Sequence, residues 1–382
     1  MQGVAVGHPL SHYPLSIIHY PLSIIHYSLF IIHYSSSTIH HSPFIPIPQK
    51  TEAKMNKVPI SIIIDDPSPI VMVYWSHHKT RVLDDGRPVI EKTPLSTLDT
   101  FCSIVEEFGV KGKFSVVPMP GNRGDIVNGI DGVTNEELTA WLDMVKTRLM
   151  PAFAIGPEIL THHKAVDLAT GAALELNEQQ WAADKDRTVL TPYIAKGLEL
   201  LKAVGIDSCG VTSPWAFGIE CEEEYVAAIS AAVSQVAGED TAWYFLRGLR
   251  NTPNAKPWVA LDEGGKTVVS IPATLVDHYW QGINTTDDSD EFVNKMADEI
   301  ITEDGTAGEL IRVLETGGWP ILITHWQSLV SNGSLSGMRA FRETARRIQK
   351  NLGDRVEWKS FIEIKDIVAA DKASYPMPVF KK

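Results

Sequence analysis

From Met55 to the C-terminus, short apolar runs alternate with amphipathic stretches, and this alternation narrows the accessible folds more than any other feature of the chain. The candidate strands are Ile60 to Ile64, Lys113 to Pro118, Ala152 to Ile159, Ser208 to Thr212, Ala242 to Leu246, Thr267 to Ile271 and Pro320 to Thr324, with Arg355 to Trp358 as an eighth. Most are apolar throughout and bounded by Gly or Pro, the pattern of strands covered on both faces. Helices between them carry their own end signals. Pro94 precedes Leu95, Leu98, Phe101, Val105 and Phe108, with Gly109 as a stop. Thr134 with Glu137 and Thr306 with Glu309 read as capping boxes, and Met338, Phe341, Ala345, Ile348 and Leu352 form an apolar stripe ending at Gly353. Such alternation requires crossover helices and a mainly parallel sheet. The expected fold is α/β: an irregular (β/α)7-8 barrel, one domain over 55–382. The polar stretches from Asn251 to Gly265 and from Tyr279 to Asp290 are expected as excursions at the barrel mouth or rim.

Residues 1–54 differ in kind. His12, His19, His26, His33 and His40 recur every seven residues in repeats of the type HYPLSII, and Pro14 and Pro21 break any helical heptad. This segment is expected to be disordered, or to lie upstream of a true start at Met55. It lacks the basic flank of a signal peptide, and no run is long enough for a membrane span.

Of the 382 residues, 44% are hydrophobic and 21% charged, a globular balance, and the net charge of -13 argues against a nucleic-acid partner. The basic group Arg342, Arg346 and Arg347 falls on an expected helix and reads as a solvated face. Three widely spaced cysteines without a CxxC support neither a disulfide framework nor a thiolate zinc site. These features lead to the expectation of a cytoplasmic protein with no membrane partner; oligomeric state is left open.

In a barrel of parallel strands, chemistry collects at the strands' C-terminal ends. The first strand ends in Asp65 and Asp66. The end of the third gives Glu158, Thr161, His162, His163 and Asp167, the fourth is followed by Ser213, Pro214 and Trp215, and the seventh by His325, Trp326 and Gln327. An isolated Asp-Asp-Pro is ordinarily a turn. Setting aside the repeat histidines, His8, His41 and the His77-His78 pair, three of the four remaining histidines fall at these ends. Carboxylates and imidazoles together suit hydrolysis, one group activating water and others holding a cation or protonating a leaving group. Trp215, Trp326 and the pair His77 and His78 are candidates for the wall of a substrate cleft. No phosphate-binding glycine loop and no GxSxG nucleophile elbow is present.

In this order, Asp-Asp, then Glu158-Ile159-Leu160-Thr161-His162, then Pro214-Trp215, then His325, the region from Met55 resembles the polysaccharide deacetylase, or NodB-like, superfamily of irregular barrels. The resemblance implies Asp65 as base, Asp66 and His162 as ligands of a divalent metal such as zinc, and His325 as general acid. It implies a hydrolase acting on a carbon-nitrogen amide bond of a small-molecule or oligosaccharide substrate. Two departures stand out. Val166 occupies the position four beyond His162 where a second imidazole ligand is expected; His163 with Asp167 offers an alternative pair, and His278 a further donor. Thr212 stands where the family usually has an arginine that steadies the catalytic carboxylate. The metal therefore stays open, since some relatives acting on cyclic ureides or imides work without one. A glycoside hydrolase using Asp65 and Glu158, and a non-catalytic binding barrel, are the competing expectations.

Overall fold

The computed structural model describes residues 57–150 and 152–379; the histidine repeat of residues 1–54 lies outside the described residues. All eight expected strands are present. The first, Val58–Asp65, buries Ile60, Ile62, Ile63 and Ile64 completely, because neighbours cover both of its faces. It pairs in parallel with the second strand, Gly112–Val116, and with the seventh, Ile321–His325, while the second pairs with the third, Phe153–Pro157. The eighth, Val356–Trp358, pairs with the first three residues of the first. A second sheet carries the fourth strand, Gly210–Thr212, the fifth, Thr241–Phe245, and the sixth, Lys266–Ser270, again in parallel.

The two sheets meet on both sides. A parallel bridge between Glu158 and Thr212 joins the third strand to the fourth. On the far side a side chain substitutes for a ladder: Thr274 donates its backbone N–H to the Ile321 carbonyl at 2.9 Å and its hydroxyl to Trp319 at 2.8 Å. The result is the irregular barrel expected from the sequence. Its interior is packed with Ile63, Ala154, Trp243, Val269 and Ile321, and the helix Phe361–Ala370 adds Phe361, Ile364 and Val368 to the same cluster. Gly156 and Gly210 are required by Trp243, since a Cβ at either position would overlap its indole.

Helix ends follow the sequence closely at Leu95–Phe108, where Gly109 adopts φ 61°, and at Asn135–Met144, where Thr134 and Glu137 complete a capping box. The second expected box does not form. Gly308 caps Glu309–Glu315, and the Glu309 carboxylate is diverted to the Val276 N–H and the His278 imidazole. The stretch from Asn251 to Gly265 is more than an excursion, for Trp258–Glu263 adds an antiparallel strand to the second sheet. Arg347 is not solvated: it is buried in Ser336–Leu352 and donates to Glu343, Asp298, Asn294 and the Ile301 carbonyl. The three cysteines are free. No described helix is long and apolar enough to cross a membrane.

Candidate active site

The parallel register brings the first and seventh strands to a common end, with Asp65 directly beside His325. Past Asp65 the chain turns sharply. Asp66 adopts φ 71°, and around the same pocket Ile159, His162 and Trp215 adopt φ 38°, 49° and 51°. Left-handed conformations cost free energy in non-glycine residues, most of all in a β-branched one, so other contacts must hold them. The buried Glu178 does so for the third-strand loop: its carboxylate accepts the backbone N–H groups of Thr161 and His162 at 2.9 and 2.8 Å and the Tyr193 hydroxyl at 2.9 Å. Burial, against these donors, pushes its carboxyl up to about 7.

Three donor atoms converge at the head of the barrel. His162 Nε2 lies 2.9 Å from Asp66 Oδ1 and 3.2 Å from Glu158 Oε1, all three residues being buried. Each carboxylate has its other oxygen tied elsewhere: Glu158 Oε2 accepts the Asp66 N–H at 2.7 Å, and Asp66 Oδ2 accepts the Gln327 side-chain amide. Asp66 Oδ1 is buried and faces His162 Nε2, with Glu158 Oε1 as the third atom of the group. Donors about 3.3 Å apart are what ligation at roughly 2.0–2.1 Å from a shared tetrahedral ion produces. Two carboxylates and one imidazole, with the carboxylates pinned from behind, therefore fit a divalent cation. Burial disfavours a charged His162, yet Asp66 and Glu158 outweigh it and raise the imidazole well above its ordinary value. Burial likewise opposes ionisation of Asp66, but His162, with His325 and His77 beyond, holds it far below the usual carboxylate range. Glu158 is pushed upward by burial and by the charges of Asp66 and Asp65.

Opposite this cluster stands His325. Its Nδ1 bonds Asp277 Oδ2 at 2.8 Å, and the same oxygen accepts the His325 N–H at 3.1 Å and the Ser328 hydroxyl at 2.6 Å. Burial opposes its protonation, but the Asp277 hydrogen bond and the charge of Asp66 prevail and push it up to about 9. Between the two groups lies a cavity of about 230 Å³ lined by Asp65, Asp66, His77, Glu158, His162, Ser213, Trp215, Phe245, Leu246, Trp280, His325 and Gln327. Trp215 is 41% exposed and packs 4.6 Å from the His162 ring, while Trp280 meets His325 edge-on at 5.2 Å.

Asp65, Asp66, His162, His325 and Trp215 thus come together as the sequence suggests, and five other candidates do not. His163 turns to Asn122, its Nδ1 2.9 Å from Oδ1. Asp167 closes an exposed turn, accepting from the N–H groups of Ala169 and Thr170 and from the Thr170 hydroxyl. His163 and Asp167 do not meet as a ligand pair, because Lys164–Val166 is a strand paired with Ala173–Asn177. The i, i+4 pair that meets is Glu158 and His162, and Val166 is a buried hairpin residue whose N–H bonds Tyr193. Of the pair His77 and His78, His77 enters the pocket, stacked on His162 at 5.0 Å, while His78 lies beyond the short helix Val73–His77 and accepts the Arg81 N–H. Burial, then the like charge of His162, drives His77 down to about 3, leaving a neutral ring. Trp326 is only 2% exposed and packs edge-on against Phe101 and Phe114 in the core. His278 bonds Glu309 at 2.8 Å, away from the donor cluster.

Sequence reasoning missed Lys113, Gln327's grip on Asp66, Glu178 and Trp280. Lys113 carried a legible signal, a lysine inside a strand covered on both faces, which demands a buried partner. Of the neighbours Asp277 and His278, it is the aspartate that reaches the site, through His325.

No known family profile matches the sequence, and no curated protein matches it. Among solved structures the chain is similar to a protein from Mycobacterium smegmatis assigned as a polysaccharide deacetylase, at 16% identity and a TM-score of 0.45, covering 75% of this chain and 81% of that one. It is also similar to a 4-alpha-glucanotransferase from Thermococcus litoralis, at 12% identity and a TM-score of 0.39 over 81% of this chain and 40% of that one. A third similarity is to the exo-beta-1,4-mannosidase Op5Man5 from Opitutaceae bacterium strain TAV5, at 11% identity and a TM-score of 0.35 over 77% of this chain and 60% of that one.

Proposed function

We propose that the chain is a hydrolase that cleaves the carbon-nitrogen bond of a small amide or ureide, or of an acylamino group at the end of an oligosaccharide, with a divalent metal held by Asp66, Glu158 and His162. The observation that carries this reading is the convergence of Asp66 Oδ1, Glu158 Oε1 and His162 Nε2 beside both Asp65 and the His325–Asp277 pair. When bound, zinc or a similar ion would supply Lewis-acid polarisation of the substrate carbonyl. Asp65 takes a proton from water as its oxygen adds to the carbonyl carbon. His325, oriented through Nδ1 by Asp277, presents Nε2 to the leaving nitrogen and donates a proton as the carbon-nitrogen bond breaks. An imidazole pushed up to about 9 is charged at neutral pH, as an acid must be. The cavity of about 230 Å³, walled by Trp215, Trp280 and Phe245, suits one small ring better than several sugar units.

The test is hydrolysis of a panel of N-acyl amides, N-acetyl sugars and cyclic ureides by the purified protein, with Asp65→Asn and His325→Ala alongside. Loss of turnover in both variants is expected; activity that survives both removes the assignment. One observation favours a second reading: Glu158 is held toward its protonated form, as the acid of a glycosidase is. Release of reducing sugar, abolished by Glu158→Gln and indifferent to chelators, would select it.

A further inference from the structure

Lys113 lies in the second strand with Ile63 and Ala154 as its register neighbours, and its side chain is wholly shielded from solvent. An ammonium inside a barrel is strongly disfavoured unless paired. Its Nζ donates to Asp65 Oδ1 and, at 2.7 Å, to Ser115 Oγ, and it sits 5.4 Å from the centre of the Phe245 ring. Ser115, two residues on and so on the same face of the strand, places its hydroxyl 3.4 Å from the same carboxylate oxygen. One oxygen of Asp65 is thus gripped from below, while the residue lines the pocket and Oδ2 receives no hydrogen bond from the described residues. The fourth strand offers no such cation: Thr212 is buried, and its hydroxyl has no hydrogen-bond partner among the described residues.

We propose that Lys113 is the positioning residue for Asp65, fixing the carboxylate through Oδ1 so that Oδ2 faces the attacking water. Ser115 is its companion on the same face of the second strand. The inference rests on the reading of Asp65 as the base. It differs from a plain structural ion pair in one respect. A pair that only stabilises the fold would leave the kcat of a folded variant unchanged. A positioning residue lowers kcat when removed, as long as residue 65 can accept a proton.

The experiment uses the full chain with Lys113→Met, Lys113→Arg, Asp65→Asn and the double variant Asp65→Asn/Lys113→Met, assayed on whichever amide the wild type hydrolyses. Lys113→Met is expected to lower kcat by about 100-fold with KM within about twofold. Lys113→Arg should recover part of that loss, and in the Asp65→Asn background Lys113→Met should cost nothing further. A folded Lys113→Met with wild-type kcat, or an equal further loss in the Asp65→Asn background, overturns the proposal. If Lys113→Met does not fold, Lys113→Gln replaces it, with an expected kcat loss of about tenfold against the same contrary outcomes. Crystal structures of the wild type and the folded variant form the second arm, independent of turnover. Asp65 should hold one rotamer in the wild type and leave it in the variant; an unmoved carboxylate overturns the proposal. A wild type inert on the whole panel fails the hydrolase reading alone, and the crystallographic arm still decides the role of Lys113.

Discussion

The two sheets of the barrel contribute different things to the pocket. The sheet built on the first, second, third and seventh strands delivers the ionisable set: Asp65, Asp66, Lys113, Glu158 and His325, with His162 on the loop that follows. The other sheet and its loops deliver Ser213, Trp215, Phe245 and Leu246, and no charged residue from it lines the cavity. One half holds charges in fixed register and the other shapes a wall. Substitutions in the first half, and at Asp277, which reaches the chemistry through His325, should therefore act on rate, pH dependence and cation binding, and those in the wall of the second half on substrate fit.

The sharpest way to break that division is Asp65→Asn or His325→Ala. Each is expected to lower kcat by about 10²–10⁴-fold, and steady-state kinetics showing only a KM change would erase the distinction. Trp326→Ala is expected to cost about 3–5 kcal/mol of stability, because Trp326 fills the core against Phe101 and Phe114; denaturant unfolding with an unchanged midpoint would return it to the pocket. For Asp277→Asn the sign follows from the bond it removes. His325 must be protonated to donate, so activity should persist below and decline through pH about 9 in the wild type. Loss of the Asp277 charge lowers that value, and the alkaline limb should move to lower pH; a pH-rate profile that stays in place separates His325 from the acid role. Trp215→Ala should raise KM by about 2- to 10-fold with little change in kcat, and a large kcat loss would show that the wall also takes part in the chemistry.

The two halves also differ in how much of them can be read from the sequence. Every barrel strand is visible there, because short apolar runs such as Ile60 to Ile64 are buried on both faces and bounded by turns. Asp65, Asp66 and His325 follow from their places at strand ends. The loop after the third strand is harder. Lys164–Val166 and Ala173–Asn177 form a hairpin at the surface whose second strand is largely exposed, so no clean alternation separates it from a helix, and His163 and Asp167 look equivalent to His162. The pairings Lys113 with Asp65, Gln327 with Asp66 and Asp277 with His325 join residues 48, 261 and 48 positions apart, and local pattern carries no trace of them. Trp326 misleads for a simpler reason: the residue after His325 begins a short helix, and its side chain points into the core.

Whether Asp66, Glu158 and His162 form one cation site is decided by metal analysis of the purified protein. Wild type should retain about one equivalent of a divalent ion, Asp66→Ala and Glu158→Ala should lose it, and His163→Ala and Asp167→Ala should keep it. A wild type that takes up no ion when titrated with zinc, or a site emptied by His163→Ala as readily as by Asp66→Ala, would mean that these three residues do not form a cation site.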